Sequence, residues 1–153
     1  MDIHARLGEL GHKLPELPKA VAKYVPALQS GPHVFVSGQL CMRQGQLMAE
    51  GPVPSQVSVE AAQAATAQCV LNALAAVDRV IDGDWSRLVR IVRIAVYVNS
   101  DPSFNEQHVV ANGGSELLGE VFGEAGAHVR AAVGCSSLPL NSAVEAELVV
   151  EVR

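Results

Sequence analysis

The carboxyl-terminal part of the chain alternates between apolar and polar positions. From Ala143 to Val152 one face is apolar, and the opposite face carries Glu145, Glu147, Val149 and Glu151. A period of two is typical of a strand with one buried face and one open face. We therefore predict that this strand covers a core with only one of its sides.

Two earlier segments have helical periodicity. In residues 58–81 the apolar side chains recur at the spacing of one helical face, at Val70, Leu74, Val77 and Ile81. Residues 104–122 predict a second, more polar helix. We expect Gly113 and Gly114 to weaken or interrupt this helix, because glycine is a poor helix former.

The other apolar runs are β-rich. Residues 24–28 and 33–37 flank a Gly-Pro turn and predict a hairpin, and residues 46–49 predict another short strand. Residues 88–98 are apolar on both faces, which is the pattern of a covered central strand. Residues 129–134 predict a further strand before the last one.

The order of these elements predicts an α+β domain in which two helices pack on one face of a mixed sheet. We expect a single domain over residues 1–153, with a helical or irregular lead-in at 1–23 and a core at 24–153. The open face of the sheet carries apolar Val149 among its charges. A surface of this kind is typical of an interface, so we predict an oligomer that buries it.

Composition narrows the classes of function. The chain is 49% hydrophobic and 18% charged, which excludes the disordered class. Its net charge of −5 matches a phosphate backbone poorly, so we expect no nucleic acid partner unless a local basic groove forms. No apolar run reaches the ~18–20 residues of a membrane helix, and the first residues do not follow the signal-peptide pattern. Three irregularly spaced cysteines form no disulfide framework, which favours a cytoplasmic location.

Several chemical motifs are missing from the sequence. It has no phosphate-binding, dinucleotide-binding, zinc-protease or CxxC signature, and no two of its five histidines have metal-ligand spacing. We therefore expect no metal and no cofactor, and we expect surface or capping roles for the histidines. Small buried hydrophobes are a simpler interpretation than nucleophiles for Cys41, Cys69 and Cys135.

Five positions are left as candidates for chemistry: Tyr24, the turn Ser37-Gly38-Gln39, Asn112, Arg130 and Glu145. The backbone N–H groups of Ser37 and Gly38 follow a strand and suit an anion. Two interpretations of Arg130 stay open. If the strands of Arg130 and Glu145 pair, Arg130 binds Glu145 or another Glu on the same face and closes that face of the sheet. Alternatively, Arg130 binds the carboxylate of a substrate while Glu145 handles a water.

Between about Tyr24 and Val152 the chain contains an ordered set of short segments: Val36-Ser37-Gly38-Gln39-Leu40, Gln68 with Leu71-Asn72-Ala73-Leu74, Val96-Tyr97-Val98, Phe104-Asn105, Val109 with Asn112, Val121-Phe122-Gly123, Val129-Arg130, Leu138-Pro139 and Val144-Glu145-Ala146-Glu147. This ordered set resembles the Rid family of YjgF-like reactive intermediate deaminases. The resemblance implies a chorismate-mutase-like α+β fold and a homotrimer with clefts between its subunits. It also implies that no cofactor is used.

The activity that the resemblance implies is hydrolysis of enamine and imine intermediates, such as 2-aminoacrylate, to 2-keto acids and ammonia. Carried over by position, Arg130 and Glu145 are the catalytic pair: Arg130 holds a small carboxylate metabolite, and Glu145 orients or activates water. The Gly38 N–H supports the same carboxylate. The other substrate-binding positions are Tyr24, Ser37, Asn112 and Ala132.

Two departures indicate a divergent subgroup. Ala132 stands where the family often has cysteine, and the segment from Asn112 to Arg130 is about one residue longer than is typical. A non-catalytic trimer that binds or senses a small carboxylate is the alternative function. A ribonuclease is a third hypothesis, which the net charge and the lack of a histidine pair or basic stripe disfavour.

Overall fold

A computed structural model describes residues 2–17 and 24–153, and these form a five-stranded mixed sheet with helices on one face and a small two-stranded sheet. The strands are β1 (Ala27–Ser30), β2 (His33–Leu40), β3 (Met42–Arg43), β4 (Gln46–Leu47), β5 (Leu88–Asn99), β6 (Val129–Cys135) and β7 (Val144–Val152). The helices are α1 (Ile3–Glu9), α2 (Val59–Val80) and α3 (Gln107–Phe122). The predicted α+β fold is confirmed, and α1 is a third, short helix in the lead-in. Residues 1 and 18–23 of that predicted lead-in lie outside the described residues.

The main sheet has the strand order β1-β2-β7-β5-β6. All neighbours are antiparallel except β5 and β6, which are parallel and are joined through α3. A parallel pair needs such a crossover, because a tight hairpin turn reverses the chain and can join only antiparallel strands. The predicted hairpin is confirmed as β1–β2, and the predicted short strand is confirmed as β4, which pairs with β3 in a separate two-stranded sheet.

The helix α2 begins where the sequence pattern predicts. The Ser58 side chain caps it by accepting a hydrogen bond from the N–H of Ala61. Its apolar face is buried, with Val70 and Leu74 almost fully covered. The helix α3 packs beside α2, and the Gln63 side chain donates to the carbonyl of Val109 across this contact.

The prediction that Gly113 and Gly114 interrupt the second helix is wrong, because α3 is continuous through both residues. A Cβ at Gly113 would overlap the backbone of Gln63, and a Cβ at Gly114 would press on Val70 and Ile94. The two glycines therefore let α3 lie close against α2 and β5. This packing offsets their unfavourable helix propensity.

The strand β7 has the alternating burial that its sequence predicts, with every second side chain buried from Val144 to Val152. Its buried face packs under α2, and Leu148 lies opposite Ile94 of β5 within the core. The opposite face of the sheet is open and partly apolar. Its exposed apolar side chains include Phe35 and Val133, which are 46% and 47% exposed, as well as Leu28 and Val129.

No helix in the described parts of the chain is long and apolar enough to cross a membrane.

Candidate functional site

Arg130 lies on β6, the edge strand of the sheet, opposite Ile94 of β5. Residues that pair across neighbouring strands share a face of the sheet, and Ile94 is buried on the helical side. Arg130 therefore points to the helical side of the sheet. Its guanidinium contacts α3 there and is exposed to solvent.

One face of α3 supplies three hydrogen-bond acceptors to this guanidinium. Nη1 donates to Oδ1 of Asn112 at 2.9 Å and to Oγ of Ser115 at 3.1 Å, and Nη2 donates to the carbonyl of His108 at 3.3 Å. These residues follow one another at helical spacing, four and then three positions apart, so they form a single row. Asn112, which the resemblance places among the substrate-binding positions, therefore contacts the guanidinium of Arg130.

The acceptors of Arg130 are all neutral. Within residues 2–17 and 24–153, no carboxylate lies within salt-bridge distance of its guanidinium. Three of its five N–H groups have a partner in the described residues, which leaves Nε–H and one N–H of Nη2 for a ligand. A fixed, exposed and uncompensated guanidinium is suited to binding a carboxylate.

The contacts of Arg130 continue to a histidine that sequence reasoning had assigned to the surface or to a cap. The Oγ of Ser115 lies 2.9 Å from Nε2 of His128, and Nδ1 of His128 lies 2.6 Å from the carbonyl of Gly126. We call Asn112, Ser115, His128 and Arg130 the Arg130 half-site. The sequence contains a signal for both missed residues, since Ser115 is one helical turn from Asn112 and His128 is two positions before Arg130.

Ala132 lies on the same side of β6 as Arg130, two residues further along. It is half-buried against the core and opposite Val96 of β5. A methyl group at this position contributes packing and offers no thiol.

A second group of predicted site residues lies on β2 and β7. Gly38 was predicted in a turn after a strand, but it lies within β2, where the register with β7 shifts between Val36 and Gln39. A Cβ at Gly38 would overlap Oε1 of Glu145, so only glycine allows the Glu145 carboxylate to lie against the backbone here. We call Ser37, Gly38 and Glu145 the Gly38 half-site.

Burial and the nearby charge of Glu147 raise the pKa of Glu145 above its ordinary value. The side chain of Glu145 is half-buried and lies on the open face of the sheet. The hydroxyl of Tyr97, beside it on β5, donates to Glu147 at 3.2 Å. A carboxylate with a raised pKa is a stronger base than an ordinary one, which suits a role in activating water.

Ser37 connects the Gly38 half-site to the segment that precedes β1. Both its N–H and its hydroxyl donate to the carbonyl of Pro26 at 2.9 Å. The Ser37 N–H is therefore occupied within the chain and is not available to an anion. Tyr24 lies close by in sequence and is 62% exposed.

The prediction that Arg130 and Glu145 lie together on one face is wrong for a single chain. It assumed that β6 and β7 pair, but β5 lies between them because the α3 crossover places β6 beyond β5. Glu145 is opposite Tyr97 on the open face, whereas Arg130 shares the helical face with Ile94. The pairing of Arg130 with Glu145 as an internal ion pair is therefore also wrong.

The cysteines belong to neither half-site, although the charge of Glu145 acts on the thiols of Cys69 and Cys135. Cys41 and Cys69 are fully buried, and Cys135 is half-buried. Burial raises the pKa of the Cys69 thiol well above its usual range, which disfavours its reactive thiolate form.

Other features of the described residues lie elsewhere. No three His, Cys, Asp or Glu side chains of residues 2–17 and 24–153 are grouped so that they could hold a metal ion. A groove of about 540 Å³ between the lead-in and the end of α2, lined by His4, Leu14 and Arg79 among others, shares no residue with either half-site.

Comparison with known proteins assigns the chain to a family. The family model described as "YjgF/chorismate mutase-like, putative endoribonuclease" matches residues 4–152. Protein TCP17 of Trypanosoma cruzi is 40% identical over 152 residues, which are 99% of this chain and 94% of that protein. The crystal structure of Atu1372 from Agrobacterium tumefaciens, a protein of unknown function, is 44% identical, with a TM-score of 0.92 over 99% of this chain and 94% of that one.

The YjgF gene product of E. coli shares the fold at lower similarity. It is 23% identical, with a TM-score of 0.56 over 89% of this chain and 93% of that one. The chain therefore belongs to the YjgF/chorismate mutase-like family, in a branch that has diverged from E. coli YjgF.

Proposed function

We propose that the protein hydrolyses small enamine and imine intermediates of the 2-aminoacrylate type to 2-keto acids and ammonia. The observation that carries the proposal is the Arg130 guanidinium, which is held by three neutral acceptors and has two N–H groups left for a ligand. A 2-imino acid presents a carboxylate of matching geometry beside its reactive carbon.

The proposal requires a second copy of the chain. Arg130 and Glu145 lie on opposite faces of one sheet, with β5 between their strands. We infer that a homotrimer places the Arg130 half-site of one subunit against the Gly38 half-site of the next. The exposed apolar side chains of the open face, such as Phe35 and Val133, favour an assembly that buries it.

In such a cleft each group has a separate task. Arg130 binds the carboxylate, and the N–H of Gly38 adds a hydrogen bond to the same group. Glu145 accepts a hydrogen bond from the attacking water, and its raised pKa makes it a better base than an ordinary glutamate. An imine carbon is already electrophilic, so holding it beside an ordered water provides much of the rate acceleration. None of these tasks needs a cofactor, or the thiol that a cysteine in place of Ala132 would supply.

The test follows ammonia and 2-keto acid release when a dehydratase generates 2-aminoacrylate in the presence of the protein. We expect Arg130→Ala to lower kcat/KM by about 100-fold or more. Arg130→Lys should recover little of this activity, because lysine keeps the charge but lacks the planar guanidinium that binds a carboxylate through two parallel hydrogen bonds. Arg43, an exposed arginine on β3, gives the matched control. Equal turnover in Arg130→Ala and Arg43→Ala would reject the function.

A non-catalytic trimer that binds a small carboxylate is the second candidate. It is favoured by the fact that the Arg130 half-site can bind an anion without Glu145, since the two lie apart in one chain. Calorimetry with 2-ketobutyrate separates the two functions. Saturable binding that depends on Arg130, with no turnover of any imine, would support this candidate.

RNA cleavage fits the described residues less well. The net charge of −5 opposes binding to a phosphate backbone. His128 and Ser115 bond to each other, and no second histidine side chain is bonded to this pair in the described residues. RNA cleavage that survives repurification and is abolished by Arg130→Ala would revive this function.

A further inference from the structure

The Arg130 half-site contains a hydroxyl–imidazole contact that the proposed hydrolysis does not use. The Oγ of Ser115 is 2.9 Å from Nε2 of His128 and 3.1 Å from Nη1 of Arg130. We propose that Ser115 and His128 form a proton relay, in which Ser115 contacts the attacking water and His128 takes up the proton through it. This inference rests on the proposed imine hydrolysis.

The tautomer of His128 follows from its partners. A backbone carbonyl only accepts hydrogen bonds, so Nδ1 of His128, 2.6 Å from the carbonyl of Gly126, must carry a proton. In the neutral ring Nε2 is then an acceptor, and it faces the hydroxyl of Ser115. A histidine fixed in this way presents its basic nitrogen to one partner only.

The bonding capacity of Ser115 leaves one place for water. A hydroxyl has one donor and two acceptor positions. The donor is directed to His128, and one acceptor position takes the N–H of Arg130. The remaining acceptor position can receive a hydrogen bond from a water, and this position lies beside the guanidinium that binds the substrate carboxylate. Ser115 and His128 are both half-buried, so the relay borders the solvent.

The proton balance closes over the two halves of the reaction. In the first half the water oxygen bonds to the iminium carbon and the C=N π electrons move to nitrogen. The water proton passes to Ser115 as the Ser115 proton passes to His128. In the second half the same proton returns through Ser115 to the amino nitrogen. The C–N bond then breaks with its electrons going to nitrogen, and the carbinol proton leaves with ammonia as ammonium while C=O forms.

The relay and Glu145 differ in where they come from. The relay belongs to the same chain as Arg130, on the helical side of the sheet, whereas Glu145 faces the open side. In the proposed cleft Glu145 therefore orients the water from one subunit, while Ser115 exchanges its proton from the other.

The test uses substitutions that separate two roles of His128: accepting a hydrogen bond from Ser115 and taking up its proton. In His128→Gln, the amide oxygen can still accept a hydrogen bond from Ser115, but it cannot take up a proton at neutral pH. We expect kcat to fall about 100-fold in His128→Gln and in Ser115→Ala, with KM changed less than threefold. His4, exposed on α1, provides the control His4→Gln, which should match the wild type. A kcat in His128→Gln equal to that of the wild type would overturn the relay, since a merely structural histidine tolerates this substitution.

A second readout separates failure of the relay from failure of the proposed function. If the wild type turns over no imine, the proposed hydrolysis fails, and the relay with it. If the wild type is active, the ¹⁵N spectrum of its histidines tests the relay without kinetics. A neutral His128 protonated at Nδ1 supports the relay, and one protonated at Nε2 overturns it even though the hydrolysis stands.

Discussion

The two half-sites are supported by different kinds of atoms. The Arg130 half-site stands on α3, and Gly113, next to Asn112, lies against the backbone of α2 at Gln63. The Gly38 half-site depends on a glycine that meets the side chain of Glu145. Backbone in a packed helix cannot move aside, whereas the end of a glutamate side chain can. The Arg130 half-site is therefore rigid and tied to the stability of the fold, and the Gly38 half-site is adjustable.

The two half-sites also differ in their electrostatics. The guanidinium of Arg130 carries a positive charge among neutral oxygens, so it favours an anion. The carboxylate of Glu145 is half-buried beside Glu147, so its negative charge is disfavoured and its pKa is raised. The Arg130 half-site therefore favours a bound anion, whereas the Gly38 half-site disfavours the negative charge of its own carboxylate.

Gly113→Ala gives the largest expected effect on the fold. Alanine alone would favour the helix by about 1 kcal/mol. The new Cβ overlaps the Gln63 backbone, so we expect a net loss of about 3 kcal/mol in the free energy of unfolding, measured by urea denaturation. Gly119→Ala in the same helix is the control, because a Cβ there meets nothing within 4 Å. Equal stability of the two variants would show that α2 and α3 are not packed as described.

Gly38→Ala tests whether the second half-site is adjustable. The added methyl group displaces the Glu145 carboxylate, so we expect kcat/KM to fall about 100-fold. The free energy of unfolding should change much less than in Gly113→Ala, because a side chain rather than backbone gives way. A variant that loses stability as severely as Gly113→Ala would contradict the difference between the half-sites.

Glu145→Gln gives a smaller effect that depends on pH. Because folding raises the pKa of Glu145, its ionisation is disfavoured in the folded state. Stability that is present below the unfolded-state pKa is lost as the pH rises through the raised pKa. Glutamine does not ionise, so the variant should gain in free energy of unfolding relative to the wild type as the pH rises over this interval. Denaturation of Glu145→Gln, with the exposed Glu120→Gln as control, measures this gain; a constant difference across pH would contradict the raised pKa.

Most of the fold follows from local sequence patterns. The alternation in β7, the apolar face of α2 and the two-sided apolar run of β5 each predict their element, because each pattern reflects burial on one or both faces. The continuity of α3 through Gly113 and Gly114 could not be predicted in this way. It depends on how close α2 lies, which is a tertiary property.

The sequence names several residues of the candidate site, but it does not predict how they are arranged. The resemblance placed Arg130, Asn112, Gly38 and Glu145 in the site, and the structure brings Asn112 to Arg130 and Glu145 to Gly38. The separation of these two pairs follows from the order of strands, which the chain order β6 then β7 does not indicate. His128 was missed because its contact with Ser115 depends on how α3 packs beside β6, which a local sequence pattern does not show.

The central claim is that Arg130 of one subunit works with Glu145 of another, and hybrid trimers test it directly. Arg130→Ala and Glu145→Gln are each expected to be nearly inactive. When the two are co-expressed in equal amounts, about one cleft in four of a random trimer combines an intact Arg130 with an intact Glu145. We predict that the hybrid recovers about a quarter of the wild-type imine hydrolysis, while each variant alone recovers none. Hybrids that form as trimers but stay as inactive as the separate variants would contradict the account.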